Sequence, residues 1–250
     1  MTALIDVLDA RDGIVCAVGA GGKKSVLYQL AREHAGRFAL TATVHTTVFP
    51  DDLSVEVVVD EETALHERVL SLDSLRSVAY ACPSSKPGRY AGVSAATIQS
   101  LHERGRFDAT FVKADGARMR WIKAPAAGEP LLLPEADLVI PVVSARAIGE
   151  PLSERVAHRL DQVSAVTGVT PGSVLTPEAV GRLLASDDGA LKGAAGARVA
   201  PLINMVDNDS QEQRARAAAE AALAITSRFD SVVLCCLRRP TRPVVGVVTR

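Results

Sequence analysis

The sequence predicts an α/β protein, a single domain over residues 1–250 built on a doubly wound, mostly parallel sheet. Three observations carry that expectation. Short apolar runs alternate with segments whose apolar residues recur at helical spacing, the order of strand, crossover helix and strand. Hydrophobic residues make up 48% of the chain and aromatics only 4%, so Ala, Val, Leu and Ile must fill the interior, as in a parallel sheet covered on both faces. The apolar run Ile14-Val15-Cys16-Ala17-Val18 passes through three glycines in four positions into an amphipathic stretch.

Residues 1–13 read as a short helix and turn, a candidate cover for a site at the glycine loop. The first strand then meets Gly19-Ala20-Gly21-Gly22-Lys23-Lys24-Ser25. Glycines let backbone amides turn inward, and the helix that follows, running to about His34, adds its positive end. The loop therefore suits phosphate, and the sheet is expected to be of the P-loop nucleoside-triphosphatase type. The usual pattern is glycine, four residues, then Gly-Lys-Ser/Thr. With Lys23 as the phosphate lysine, Ala17 replaces the first glycine, Lys24 replaces the Mg²⁺ hydroxyl, and Ser25 comes one step late. With Lys24-Ser25 as the pair, Lys23 stands where glycine belongs. The first register is preferred, and it resembles the shortened glycine-x-x-glycine-lysine loop of Mur-ligase-like ATPases. A glycine turn that only joins strand to helix is the simpler alternative.

Phe38 to Val44 reads as the second strand, ending in hydroxyls, with Thr43 placed to reach Mg²⁺ or an outer phosphate. Threonine also simply favours strands. His45 to Pro50 leaves as a loop. Val55 to Val59 is a strand, and Asp60 caps a helix with Leu65, Val69 and Leu72 on one face. Ser77 to Cys82 is a strand followed by a polar loop, Pro83 to Gly92, and Ser94 caps a helix ending near Gly105.

Phe107 to Gly116 is an apolar strand that ends in Asp115 and a glycine. Nucleotide hydrolases place there the carboxylate that reaches Mg²⁺ through water; an Asp-Gly turn is the rival. Arg118, Arg120, Lys123 and the single tryptophan, Trp121, follow. In a nearly neutral chain this cluster suggests an anionic ligand gripped by arginine, or else a solvated basic loop, with Trp121 read as a packing anchor.

Ala136 to Val143 forms another strand, and Ser144 to Leu152 leads to a helix containing His158 and Arg159. On helix position alone His158 is a surface or packing residue. Thr176-Pro177-Glu178 starts a short helix, and the Gly/Ala-rich run 186–198 reads as a flexible loop. Val199 to Asp207 is a strand ending in Asn204-x-x-Asp207. GTP-binding proteins use such a pair, the Asp for the guanine edge and the Asn as a brace; an Asx turn has the same spacing. Asp209 or Ser210 caps an Ala-rich helix to about Arg228, and strands Ser231 to Leu237 and Pro243 to Val248 close the chain.

Gly-Ala-Gly-Gly-Lys, the threonine-bearing second strand, Ala-Asp-Gly-Ala-Arg, Lys-Ala-Pro, Glu-Pro, Gly-Glu-Pro-Leu, Val-Ala-His-Arg and Leu-Ile-Asn-Met-Val-Asp occur in that order along nearly the whole chain. Together they resemble the selenium-dependent hydroxylase accessory family, the YqeC-like P-loop proteins. The resemblance implies nucleotide binding that assists the maturation of molybdenum hydroxylases. It implies that Gly19, Gly21, Gly22, Lys23 and Ser25 hold phosphates, with Ala20 and Lys24 in the same loop. Asp115, with Ser25 and Thr43, would approach Mg²⁺, and Lys23 and Asp115 would be the catalytic pair. Asn204 and Asp207 would meet the base, which tips the expected nucleotide from ATP toward GTP. Arg118, Lys123, Glu129 and His158 would line the substrate or partner side. The chain departs from the pattern at Lys24, Lys113 and Gly128, where threonine, glutamate and histidine are usual. Losing a hydroxyl and an acid leaves binding in place and makes hydrolysis slow.

A net charge of −1 argues against a general nucleic-acid or membrane-surface binder. No apolar run reaches the roughly 18 residues of a span, and the acids near the N-terminus are unlike a signal peptide, so a cytoplasmic protein is expected. Cys16, Cys82, Cys235 and Cys236 form no C-x-x-C pair and read as buried free thiols. Besides the accessory reading, two others stand: a kinase- or ligase-type enzyme activating a small anion, and a non-catalytic nucleotide-binding module.

Overall fold

The computed structural model describes residues 2–72 and 77–250; residue 1 of the predicted leading segment and residues 73–76 lie outside the described residues. The chain opens with α1 (Leu4–Val7), β1 (Gly13–Gly19), α2 (Lys23–Glu33), β2 (Phe38–Ala42), the short β3 (Thr46–Thr47), β4 (Glu56–Val59) and α3 (Glu62–Leu70). It continues through β5 (Val78–Ala81), the short β6 (Arg89–Tyr90), α4 (Ala95–Arg104), β7 (Ala109–Lys113), the short β8 (Ile122–Lys123) and β9 (Leu138–Ser144). Then come β10 (Ala157–His158), α5 (Leu160–Thr167), α6 (Pro177–Ala185), β11 (Arg198–Val199), β12 (Leu202–Asn204), α7 (Asp209–Ile225), β13 (Ser231–Cys235) and β14 (Val244–Thr249).

The main sheet runs β14-β13-β12-β9-β1-β7-β2-β5-β4, with β11 also paired to β9. Its ladders are parallel except the last, β13 with β14. Residues of β1 alternate between two cores, so both faces are covered. Val15 and Ala17 meet α1 and α2 residues such as Leu4, Val26 and Leu30, while Ile14, Cys16 and Val18 face the core built on α3 to α7. The apolar strands read from the sequence therefore form a doubly wound α/β sheet.

From β1 the chain crosses to β2 on one side, and from β7 it crosses back over to β9 on the other. That reversal opens a crevice at the carboxyl ends of β1, β7 and β9, the usual ligand position in an open α/β sheet. All three ends carry residues singled out above: Gly19, Asp115 beyond β7, and Ser144.

Several local expectations change. The described part of the leading segment, residues 2–13, is no cover for the site: the Ile5 amide donates to Glu33 at the far end of α2, and Arg198 donates to the Leu8 and Asp9 carbonyls. The second strand ends at Ala42; the Thr43 amide still donates to the Lys113 carbonyl, and its hydroxyl donates to the Leu131 carbonyl. The two predicted loops 45–50 and 83–92 pair with each other as the antiparallel β3–β6 ladder, and Gly92 is pressed against the Thr43 and Val44 backbone where no Cβ fits. His158 is in no helix; it lies in β10, parallel to β8, and Arg159 with φ +65° is the residue before α5. The caps of α3 and α7 are Glu61 and Asn208, one residue from the expected positions, whereas Ser94 caps α4 as expected. Residues 187–196 are mostly turns, with Leu191 and Ala194 buried, and Arg198 begins β11.

Candidate functional site

The glycine loop takes its shape from contacts with neighbouring strands. Gly19 and Gly21 have φ of +89° and +81°, and a Cβ on either would strike the β9 backbone at Val142 or Ser144. Gly22, at φ +123°, lies against the Asn204 amide, whose Nδ2 donates to the Gly21 carbonyl at 2.9 Å. The Asn204 side chain thus ties the end of β12 to the glycine loop. The Gly19 amide donates to Asp115, Ala20 to the Val142 carbonyl and Gly21 to the Arg120 carbonyl. The loop's first three amides are therefore spent inside the protein. The free donors lie one turn later, at the start of α2, where helix geometry leaves the first amides unpaired.

Asp115 is 2% exposed and sits between two buried lysines. Lys23 Nζ lies 2.9 Å from Oδ1 at an ion-pair distance, while its aligned hydrogen bond goes to the Gly19 carbonyl. Lys123 Nζ lies 2.8 Å from Oδ2 and also 2.8 Å from Glu129, and it donates to the Gly116 carbonyl. Glu129 accepts a two-pronged grip from Arg159, at 2.7 and 3.0 Å. The result is a ladder of alternating sign: Lys23, Asp115, Lys123, Glu129, Arg159. Burial would raise the Glu129 pKa, but the hydrogen bonds from Arg159 and Lys123 outweigh it and hold the carboxyl down at about 2. Burial lowers the pKa of Lys23, against the pull of Asp115.

Beside the ladder, His158 is the register partner of Lys123, and burial together with the charges of Lys123 and Arg159 lowers its pKa. Arg118 stands exposed at the rim with φ +44°, and its charge also acts on His158. Trp121 packs on the core as an anchor. A cavity of about 20 Å³ lies behind Asp115 and Lys123, room for about one water and too small for a phosphate.

On the β2 side of the loop, Lys24 Nζ donates to the Thr47 hydroxyl at 2.7 Å, and Lys113 Nζ to the His45 carbonyl at 2.8 Å. Burial and the nearby cations Lys23, Lys24 and Lys123, opposed by Asp115, bring the Lys113 pKa down to about 7. Ser25 is exposed at the start of α2.

Asp207 lies outside the charged ladder. Arg146 holds its Oδ2 through Nε and Nη2, at 3.2 and 2.6 Å, and the Cys236 thiol donates to Oδ1. All four cysteines are free and buried, as expected, with burial pushing the Cys16 thiol up to about 12. Sequence reasoning missed Arg159 and Arg146, each the partner of a flagged carboxylate. Arg159 was visible only as the last residue of Val-Ala-His-Arg, and nothing in the spacing of Arg146 pointed to Asp207.

A glycine loop closing the central strand, lysines opening the next helix, and a buried acid ending the adjacent parallel strand define an α/β protein of the doubly wound P-loop type. The chain belongs to the YqeC protein family, whose model matches residues 15–161, from β1 through the ladder to Arg159 and the start of α5. It is 30% identical over 184 residues to a protein of Escherichia coli (strain K12) described as uncharacterized protein YqeC, covering 73% of this chain and 71% of that one. No helix among the described residues is long and apolar enough to cross a membrane.

Proposed function

We propose that the protein is a nucleotide-binding accessory protein that holds the phosphates of ATP or GTP at the start of α2, and that this binding serves the maturation of a selenium-dependent molybdenum hydroxylase. The observation that carries the binding half is the placement of Lys23 and Lys24 at the start of α2, in a crevice where cations outnumber carboxylates. Lys23 and the α2 amides meet the phosphate chain; Asp115 holds Lys23 in place and, through Lys123, ties the loop to Glu129 and Arg159. The maturation half rests on the family resemblance.

The residues expected around Mg²⁺ do not fit it as they stand. Both Asp115 oxygens face ammonium groups, the Thr43 hydroxyl donates to a carbonyl, and Ser25 alone offers no carboxylate. The reading therefore gives phosphate neutralisation to lysine and routes no step through the metal. Guanine preference is dropped with it, since Arg146 and Cys236 occupy the Asp207 oxygens.

Calorimetric titration of ATP and GTP, with and without Mg²⁺, tests this on the native chain and on Lys23→Ala. The expected result is binding that survives without Mg²⁺, differs between the two nucleotides by less than about tenfold, and is lost in Lys23→Ala. If neither nucleotide binds the native chain, the proposal is wrong. A kinase- or ligase-type reading is favoured by one further observation, the cations on the β2 side of the loop.

A further inference from the structure

Lys24, Lys113 and Arg89 come from three distant parts of the sequence and are gathered around residues 45–47 and the β3–β6 ladder. Residues 45–47 hold both lysines, Lys113 through the His45 carbonyl and Lys24 through the Thr47 hydroxyl. Arg89 is the residue directly opposite Thr47, so its side chain shares the face that Lys24 touches, and its charge acts on Lys24. Lys113 ends β7 in register with Ala17 of β1 and Ala42 of β2, which fixes it beside the glycine loop. The ladder itself is clamped over the end of β2 by the Cys82–Ala91 bridge and by the Val93 amide bonded to the Ala42 carbonyl.

The charges around this group are one-sided. The ions acting on Lys113 are Lys23, Lys24, Lys123 and the single carboxylate Asp115, which Lys23 and Lys123 already flank. Among the described residues, Lys24, Lys113 and Arg89 take part in no ion pair, and all three reach solvent. A ladder that gathers Lys24, Lys113 and Arg89 with no ion-paired carboxylate concentrates positive charge there, which folding does not reward and a bound oxyanion would stabilise.

We infer that Lys24, Lys113 and Arg89 form a second anion subsite, next to the nucleotide phosphates, that receives the phosphate or carboxylate of a small substrate. The inference rests on the nucleotide reading only for its neighbour, since the three cations would bind an oxyanion with or without nucleotide. Lys24, at the start of α2, touches both subsites and would keep the two anions apart while shielding their repulsion. Arginine offers two parallel donors to a planar or tetrahedral oxyanion, and the lysines supply point charges on either side.

The test is calorimetric titration of the full chain with sodium phosphate and, separately, sodium acetate, in the native protein, in Lys23→Ala, and in the double variant Arg89→Gln/Lys113→Gln. Binding of phosphate alone assigns a phosphoryl substrate, and binding of acetate alone or of both assigns a carboxylate-tolerant one. Either supports the subsite if the double variant weakens it at least tenfold while ATP affinity moves less than threefold. Binding of neither anion, or binding that the double variant leaves unchanged, overturns it. Loss of nucleotide binding in the native chain, with oxyanion binding kept in Lys23→Ala, would refute the nucleotide reading and leave the subsite standing.

Discussion

The crevice has two basic sides that look alike in composition and differ in pairing. On the β8–β10 side every cation of the ladder Lys23, Asp115, Lys123, Glu129, Arg159 has a carboxylate beside it, and Lys23, Asp115 and Lys123 are buried. On the β2 side Lys24 has a hydroxyl partner and Lys113 a carbonyl partner, and among the described residues neither they nor Arg89 has a carboxylate in an ion pair. Charges buried with their counterions hold structure, and charges gathered without them hold ligand. The β8–β10 side should therefore report on stability, apart from Lys23, which also meets the proposed phosphates, and the β2 side on binding.

The sharpest way to break this contrast is at Lys123. Replacing it by Met strands Asp115 and Glu129 without their shared cation, and loss of one member of a buried network costs about 3–5 kcal/mol. Urea denaturation of Lys123→Met should show that loss. A cost below about 1 kcal/mol would mean that water reaches the ladder and that the two sides are not distinct.

Gly22→Ala probes the hinge between the sides. A residue with a Cβ at φ +123°, pushed against the Asn204 amide, should cost about 1–3 kcal/mol, and the same denaturation measurement reads it. Asn204→Ala loses the bond to the Gly21 carbonyl instead, and about 1–2 kcal/mol with it.

Acid titration separates the sides without mutating either backbone. The folded Glu129 carboxyl sits at about 2, below its ordinary 4.5. Its contribution is present above the ordinary value and is lost as pH falls from there through about 2. After allowance for partial exposure, the loss should be about 1–2 kcal/mol. Stability measured from pH 6 to pH 2 should fall less steeply in Glu129→Gln than in the native chain; equal slopes would detach Glu129 from the ladder.

The smallest stability effect belongs to the other side. Lys113→Gln removes a charge repelled by its neighbours, so stability should stay within about 0.5 kcal/mol of native or rise slightly. A loss of several kcal/mol would show that Lys113 is a structural cation like Lys123.

Much of this was legible because it is local. A strand of Val, Cys and Ala, three glycines and a helix of period 3.6 are written in consecutive residues, and so is the Ser94 cap. The apolar runs predicted the sheet for the same reason. His158 misled because two strand residues give no periodicity: β10 exists only because β8 lies alongside it. The 45–50 and 83–92 segments read as loops for the same cause, each supplying two residues to a ladder that neither could form alone.

The sequence by itself determined the α/β class, the order of the main-sheet strands and of most helices, the glycine loop and the residues that carry charge near it. Those follow from side-chain period, backbone freedom and capping, all properties of neighbours along the chain. Only the tertiary structure decided which charges are answered. Lys23 and Lys24 are adjacent in sequence, yet Lys23 points to Asp115 in the buried ladder and Lys24 to Thr47 on the β3–β6 ladder. Successive residues at the start of a helix diverge by about 100°, so the fold sends one lysine to a carboxylate and leaves the next to an anion the protein does not supply.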